Sequence, residues 1–163
     1  MFFTFHASFL TIAASFAAFR ILVASAAHNP HHTLTAVSAK SHILLVDDSG
    51  FARRTLRQML EADGHSCDEA QNGTEALERY ASRRPDIVLL DMVMEEMNGL
   101  EVLAKLRRVD PEAKVLVVSA DIQTSTSQQA KAAGANGMLN KPFQKDQLLA
   151  TVAKVASGDS AWS

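Results

Sequence analysis

The sequence predicts an α/β fold built on a parallel sheet. Continuous apolar runs at Ile43–Val46, Ile87–Leu90 and Val115–Val118, with a shorter one at Gly137–Asn140, read as strands buried on both faces. Between them lie segments whose apolar residues recur at helical spacing, so strand and helix alternate along the chain. Each run also ends on polar residues: Asp47-Asp48, Asp91, Ser119 and Lys141. In an open parallel sheet ligands bind beyond the carboxyl ends of the strands, so these residues are expected to converge on one site.

The elements follow in order. His42–Val46 is the first strand. A helix over Gly50–Ala62 carries Ala52, Leu56, Met59 and Leu60 on one stripe, and Gly64 stops it. A short strand at Ser66–Ala70 leads to an Asn72-Gly73 turn and a helix over Thr74–Arg83, with Ala76, Leu77 and Tyr80 inward. The strand Ile87–Leu90 follows. The next helix begins after Gly99, carries Leu100, Leu103 and Leu106, and leaves through Asp110-Pro111. After the strand Lys114–Val118, the helix Thr124–Ala133 is rich in Ser, Thr and Gln and has a thin apolar face. The strand Gly137–Asn140 and a helix over Lys145–Ala156, with Leu148, Leu149, Val152 and Val155, complete the pattern. Gly158–Ser163 is expected to be a short tail with no output domain.

Composition sets wide bounds. The net charge of −2 on 163 residues makes no demand for nucleic acid or an anionic membrane. Arginines cluster at 53, 54 and 57, at 83 and 84, and at 107 and 108; on separate helices they read as solvated faces. The single cysteine, Cys67, reads as a buried structural thiol. Residues 1–40 stand apart as an apolar extension and linker. Met1–Phe19 has no Lys, Arg, Asp or Glu, and His28, His31 and His32 read as part of a solvated linker. Three readings fit the extension: a start assigned upstream of the true gene or a disordered extension, a membrane anchor through residues 1–27, or a cleaved targeting segment. The domain proper is expected at residues 41–157, with residues 158–163 as the tail.

The converging residues suit phosphoryl chemistry. Clustered carboxylates raise one another's pKa unless a cation joins them. An all-oxygen ligand set favours a hard ion such as magnesium. A carboxylate can attack phosphorus to give an aspartyl phosphate, while a lysine and a hydroxyl stabilise the charge on the transferring oxygens.

From His42 to Ala156 the chain resembles the receiver domain of two-component response regulators, especially the single-domain chemotaxis type. The matching residues are Asp47-Asp48, Asp91 with the run Met92-Val93-Met94-Glu95-Glu96-Met97-Asn98-Gly99, Ser119-Ala120, and Lys141-Pro142-Phe143. The resemblance implies a flavodoxin-like, doubly wound (βα)5 sheet in the order 2-1-3-4-5. It implies an aspartyl phosphate on Asp91, formed from a histidine kinase or phosphotransfer protein, with Ser119 and Lys141 binding the transferred group. It implies Mg2+ held by Asp48, Asp91 and the backbone carbonyl of Val93, with Asp47 in support. Ser119 and the residue at 138 would form the output switch, acting through the face of the fourth helix, fifth strand and fifth helix on a downstream protein. A cytoplasmic location follows, since a kinase must reach Asp91.

The chain departs from the family pattern at Glu95, where the family usually has Pro, and at Met138, where it usually has an aromatic residue. Ser119 is a common variant of Thr. Val93 and Asp121 occupy positions that tune phosphate lifetime in the family. Two other classes compete. A phosphatase of the haloacid-dehalogenase type also uses Asp and magnesium, but places its acids in the reverse order. A phosphorylation-independent binding module of the same fold stays open.

Overall fold

The computed structural model describes residues 40–162 apart from Ile122. The expectations for Met1–Ala39 and for Ser163 lie outside the described residues. The strands are β1 (His42–Val46), β2 (Ser66–Ala70), β3 (Ile87–Asp91), β4 (Val115–Ser119) and β5 (Gly137–Asn140). The helices are α1 (Gly50–Glu61), α2 (Gly73–Arg83), α3 (Gly99–Val109), α4 (Thr124–Ala132) and α5 (Lys145–Ala156). All pairings are parallel, and the order is β2-β1-β3-β4-β5, as the resemblance implies.

The strand runs are continuously apolar because alternate residues enter different cores. Leu44, Val46, Val88, Leu90, Val115 and Val117 pack with Ala76, Tyr80, Val102, Leu103 and Leu106, under α2, α3 and α4. Ile43, Leu45, Ile87, Leu89, Leu116 and Val118 pack with Leu56, Leu60, Leu148, Val152 and Val155, under α1 and α5. Period-two side-chain alternation with both faces covered leaves no position for a polar residue until the strand ends.

Local capping fixes the helix starts. Ser49 Oγ accepts from the N–H of Ala52 at 3.3 Å, Asn72 from Glu75 at 2.9 Å and Asn98 from Glu101 at 3.0 Å. The side chain of Gln147 accepts from the N–H of Gln144 at the start of α5. α4 is different. Its N-cap residue, Gln123, makes no side-chain cap, and Ala130 is its one buried residue. The thin apolar face expected from the sequence is therefore real.

One expectation changes. The arginine clusters are not simply solvated. Arg53 and Arg57 both pair with Glu69 and so tie α1 to β2. Arg107 donates to the Gly134 carbonyl at 3.0 Å and to Asn136 at 3.0 Å, joining α3 to the turn before β5. These ties were hidden because their partners are distant in sequence. The short tail is anchored to the sheet: Ala161 bridges to Gly137 at the edge of β5. Cys67 is buried as expected, and burial pushes its thiol up to about 11, so it is protonated at neutral pH.

Helices held by few buried contacts open most readily. We expect the amides of α4 to exchange with solvent faster than those of the other four helices by roughly tenfold or more, as read by hydrogen–deuterium exchange with peptide resolution.

Candidate functional site

Sheet register assembles the site. Val46 pairs with Leu90, so Asp47 and Asp91 are the next residues on neighbouring strands. Asp91 itself pairs with Val118, which puts Ser119 one step beyond. Ser119 pairs with Asn140, and Lys141 comes next. The chain reverses direction across the sheet between β1 and β3, the crevice where ligands bind in folds of this kind.

The side chains meet there. Asp47, Asp48 and Asp91 each present a carboxylate oxygen within 4.8 Å of the others. Lys141 Nζ donates to Asp47 at 2.8 Å and to Asp91 at 3.2 Å. Asp47 is 2% and Asp91 8% exposed, while Asp48 is open to solvent. Asp48 lines a shallow pocket with Gln71, Asn72, Met94, Glu95 and Glu96. The other oxygen of Asp47 accepts from the N–H of Ser49 at 2.8 Å. Arg53 holds the Asp47 carbonyl at 2.6 Å, so the loop after β1 is fixed from two sides.

Burial pushes Asp91 above the usual carboxylate range; the Lys141 ammonium opposes that shift and the Asp47 charge adds to it. Burial alone would lower Lys141, but its hydrogen bond to Asp47 and the two nearby carboxylates hold it above the ordinary lysine value. Lys141 therefore stays charged. One ammonium faces three carboxylates, and the donor set is entirely oxygen, so the cluster is chemically suited to a hard cation.

Gly99 shapes the loop after β3. A Cβ on it would lie 2.5 Å from the Asp91 carbonyl oxygen and 2.8 Å from Met92 Cα. Glycine here lets the start of α3 close against the strand end, with its N–H donating to the Met92 carbonyl at 3.1 Å. The Lys141–Pro142 peptide is cis.

Ser119 is fully buried, and its Oγ accepts from the N–H of Asp121 at 3.0 Å. Its carbonyl accepts from the N–H of Lys141 at 2.7 Å, so backbone rather than hydroxyl joins the two residues. Asp121 is occupied by the start of α4, accepting from Thr126 Oγ1 at 2.6 Å and from the N–H of Gln123 at 2.9 Å. Val93 is largely exposed beside the site. Met138 is buried in the core under α2, α3 and α4, as are Met92 and Met94.

Comparison with known proteins decides the family. The model of the response regulator receiver domain matches residues 43–153. The chain belongs to the response regulator receiver family. Chemotaxis protein CheY of Halobacterium salinarum is 38% identical over 113 residues, covering 69% of this chain and 94% of that protein. The CheY of Listeria monocytogenes is 41% identical over 115 residues, covering 70% and 97%. The solved structure of Vibrio cholerae CheY4 superposes with a TM-score of 0.69 at 31% identity, covering 72% of this chain and 99% of that one. The receiver is thus a signalling protein of the two-component type that accepts a phosphoryl group on aspartate. The phosphorylation-independent reading is not favoured. Among the described residues no helix is long and apolar enough to cross a membrane.

Sequence reasoning missed three contributors to the site. Ser49 and Arg53 brace Asp47, and only Ser49 had a local signal, an N-cap type directly after the acid pair. Phe51 is 75% exposed and lines an apolar groove with Met59, Pro142 and Phe143 beside Lys141. Its signal was its position off the stripe Ala52, Leu56, Met59, Leu60.

The raised pKa of Asp91 has a definite sign. Between the ordinary carboxylate pKa and its folded value, the native protein holds a proton the unfolded chain has released, so stability falls as pH rises through that window. Above it the ionised carboxylate is a standing cost. Asp91→Asn is expected to raise unfolding free energy at pH 7 by on the order of 1 kcal/mol, with the gain disappearing in acid, as measured by urea denaturation across pH.

Proposed function

We propose that Asp91 is the phosphoacceptor. One observation carries this: among the three clustered carboxylates, Asp91 alone combines the end of the central strand, burial and a direct contact with the charged Lys141. An oxygen of Asp91 attacks the phosphorus of a phosphohistidine on a histidine kinase or phosphotransfer protein. The P–N bond breaks, and its electron pair leaves with the imidazole. The receiver catalyses this transfer, and later its own hydrolysis, through the same residues.

Asp48, Asp91 and the Val93 backbone carbonyl are the ligands we assign to Mg2+, with Asp47 supporting through water. Bound there, the ion neutralises charge on the phosphoryl oxygens. Lys141 changes partner, leaving Asp91 for a phosphoryl oxygen while keeping Asp47. The Ser119 hydroxyl turns from the Asp121 N–H toward the new group. The added charge, close to two units, shifts the equilibrium between two surfaces. Met138 fills the space Ser119 leaves, and a downstream protein reads the face of α4, β5 and α5. A donor must bring its histidine to Asp91, so the neighbouring groove at Phe51 is buried in that encounter. This work belongs in the cytoplasm. Residues 41–157 are the working domain, with residues 1–40 outside it.

Acceptance is tested with magnesium and acetyl phosphate, trapping the acyl phosphate for mass spectrometry. Label is expected on Asp91 and absent from Asp91→Asn. Asp48→Ala should weaken magnesium binding about tenfold or more. Wild-type labelling of Asp91→Asn rejects the acceptor assignment, and unchanged magnesium affinity in Asp48→Ala rejects the ligand set.

Lifetime follows from Val93 and Asp121. Val93 has no polar group to orient an attacking water, and the Asp121 carboxylate is engaged at the start of α4. The phosphate is therefore long-lived. Val93→Asn is expected to speed its loss by about threefold to tenfold in a single-turnover decay assay; an unchanged rate defeats this account of position 93.

A further inference from the structure

The segment after α5 does more than end the helix. Gly158 takes a left-handed φ of 88° and turns the chain back toward the sheet. Ala161 then lies parallel to Gly137 on the free edge of β5. Its N–H donates to the Asn136 carbonyl at 2.9 Å, and its carbonyl accepts from the N–H of Met138 at 3.3 Å. The approach depends on Gly137, where a Cβ would stand 2.6 Å from both the Cβ and the carbonyl oxygen of Ala161. Trp162 packs against the core that contains Met138 and Ala130, and the Lys131 ammonium of α4 lies 5.8 Å from its ring centroid. Ala161 and Trp162 also wall a groove of about 450 Å³ with Met138, Asn140, Gln147 and Thr151, on the side of the molecule where β5 meets α5.

We propose that residues 159–162 form a strap that clips α4 to the edge of β5 in the resting receiver and opposes its switch to the active surface. This rests on the reading that phosphorylated Asp91 signals through α4, β5 and α5. The strap touches both moving parts. Its backbone is hydrogen-bonded to Met138, and its one aromatic ring lies under the Lys131 ammonium of α4. α4 has a single buried residue and no side-chain cap from Gln123, so the Lys131–Trp162 contact joins the Asp121–Thr126 hydrogen bond among the few contacts that hold it. A contact favouring the resting state must weaken binding of any phosphoryl mimic, by the same factor with which the mimic loosens the contact.

The test is a titration of the full chain with beryllofluoride in magnesium, followed by 19F NMR, for wild type, Trp162→Ala and Lys131→Gln. Amide exchange of Thr124–Ala132 is measured on the same proteins without the mimic. The strap predicts faster α4 exchange in both variants. It predicts beryllofluoride affinity about fivefold tighter in Trp162→Ala, and a smaller change of the same sign in Lys131→Gln. Equal affinity in all three proteins overturns the proposal, because a merely structural edge contact leaves the site's affinity alone. If Trp162→Ala fails to fold, Lys131→Gln, a change on an exposed helix face, decides by itself. If beryllofluoride binds none of them, the phosphoacceptor reading has failed instead, and the clip stands or falls on α4 exchange alone.

Discussion

The structure is organised around charge crowding. Three carboxylates sit within 4.8 Å of one another, two of them buried, with a single ammonium among them. Such an arrangement is costly in a low-dielectric pocket and persists only when its surroundings hold it in place. Here that hold is the sheet. Parallel register fixes Asp47 beside Asp91 and brings Lys141 round from β5, while Ser49 and Arg53 immobilise the first loop. Both cores serve this purpose, because a one-residue slip in any central strand would send an acid into apolar packing.

The same architecture distributes rigidity unevenly. α1, α3 and α5 each bury two or more large apolar side chains, and α2 buries Tyr80 with Ala76. α4 buries one alanine and is held instead by polar contacts at its start and by the lysine at its far end. Under the proposed phosphorylation of Asp91, the charge change would act on a molecule with one weakly seated helix, whose leading loop is hydrogen-bonded to Ser119 through Asp121. Stiff site and loose helix are complementary requirements: the first places the reacting atoms, and the second allows a response at modest free-energy cost.

Much of this was legible in the sequence. The fold class followed from apolar runs that only a doubly covered sheet tolerates, and the polar run ends gave the acids, the hydroxyl and the lysine. The thin face of α4 was visible in Thr124–Gln129. What escaped was non-local. Arg107 reads as a surface charge until Gly134 and Asn136 are folded beneath it. Gly137 reads as a strand glycine with no stated purpose until Ala161 arrives against it. The link from Ser119 to Lys141 runs through backbone atoms, which no side-chain pattern reports.

The bridge of Ala161 to Gly137 has a colloidal consequence. An open parallel sheet has two edges, and bare edges invite strands from other molecules. At one edge, β2 carries Asp68 and Glu69, bound by His42, Arg53 and Arg57. At the other, β5 is short and its Met138 N–H is already taken. Both edges are therefore poor templates for further strands, and the resting protein is guarded against edge-to-edge aggregation at high concentration.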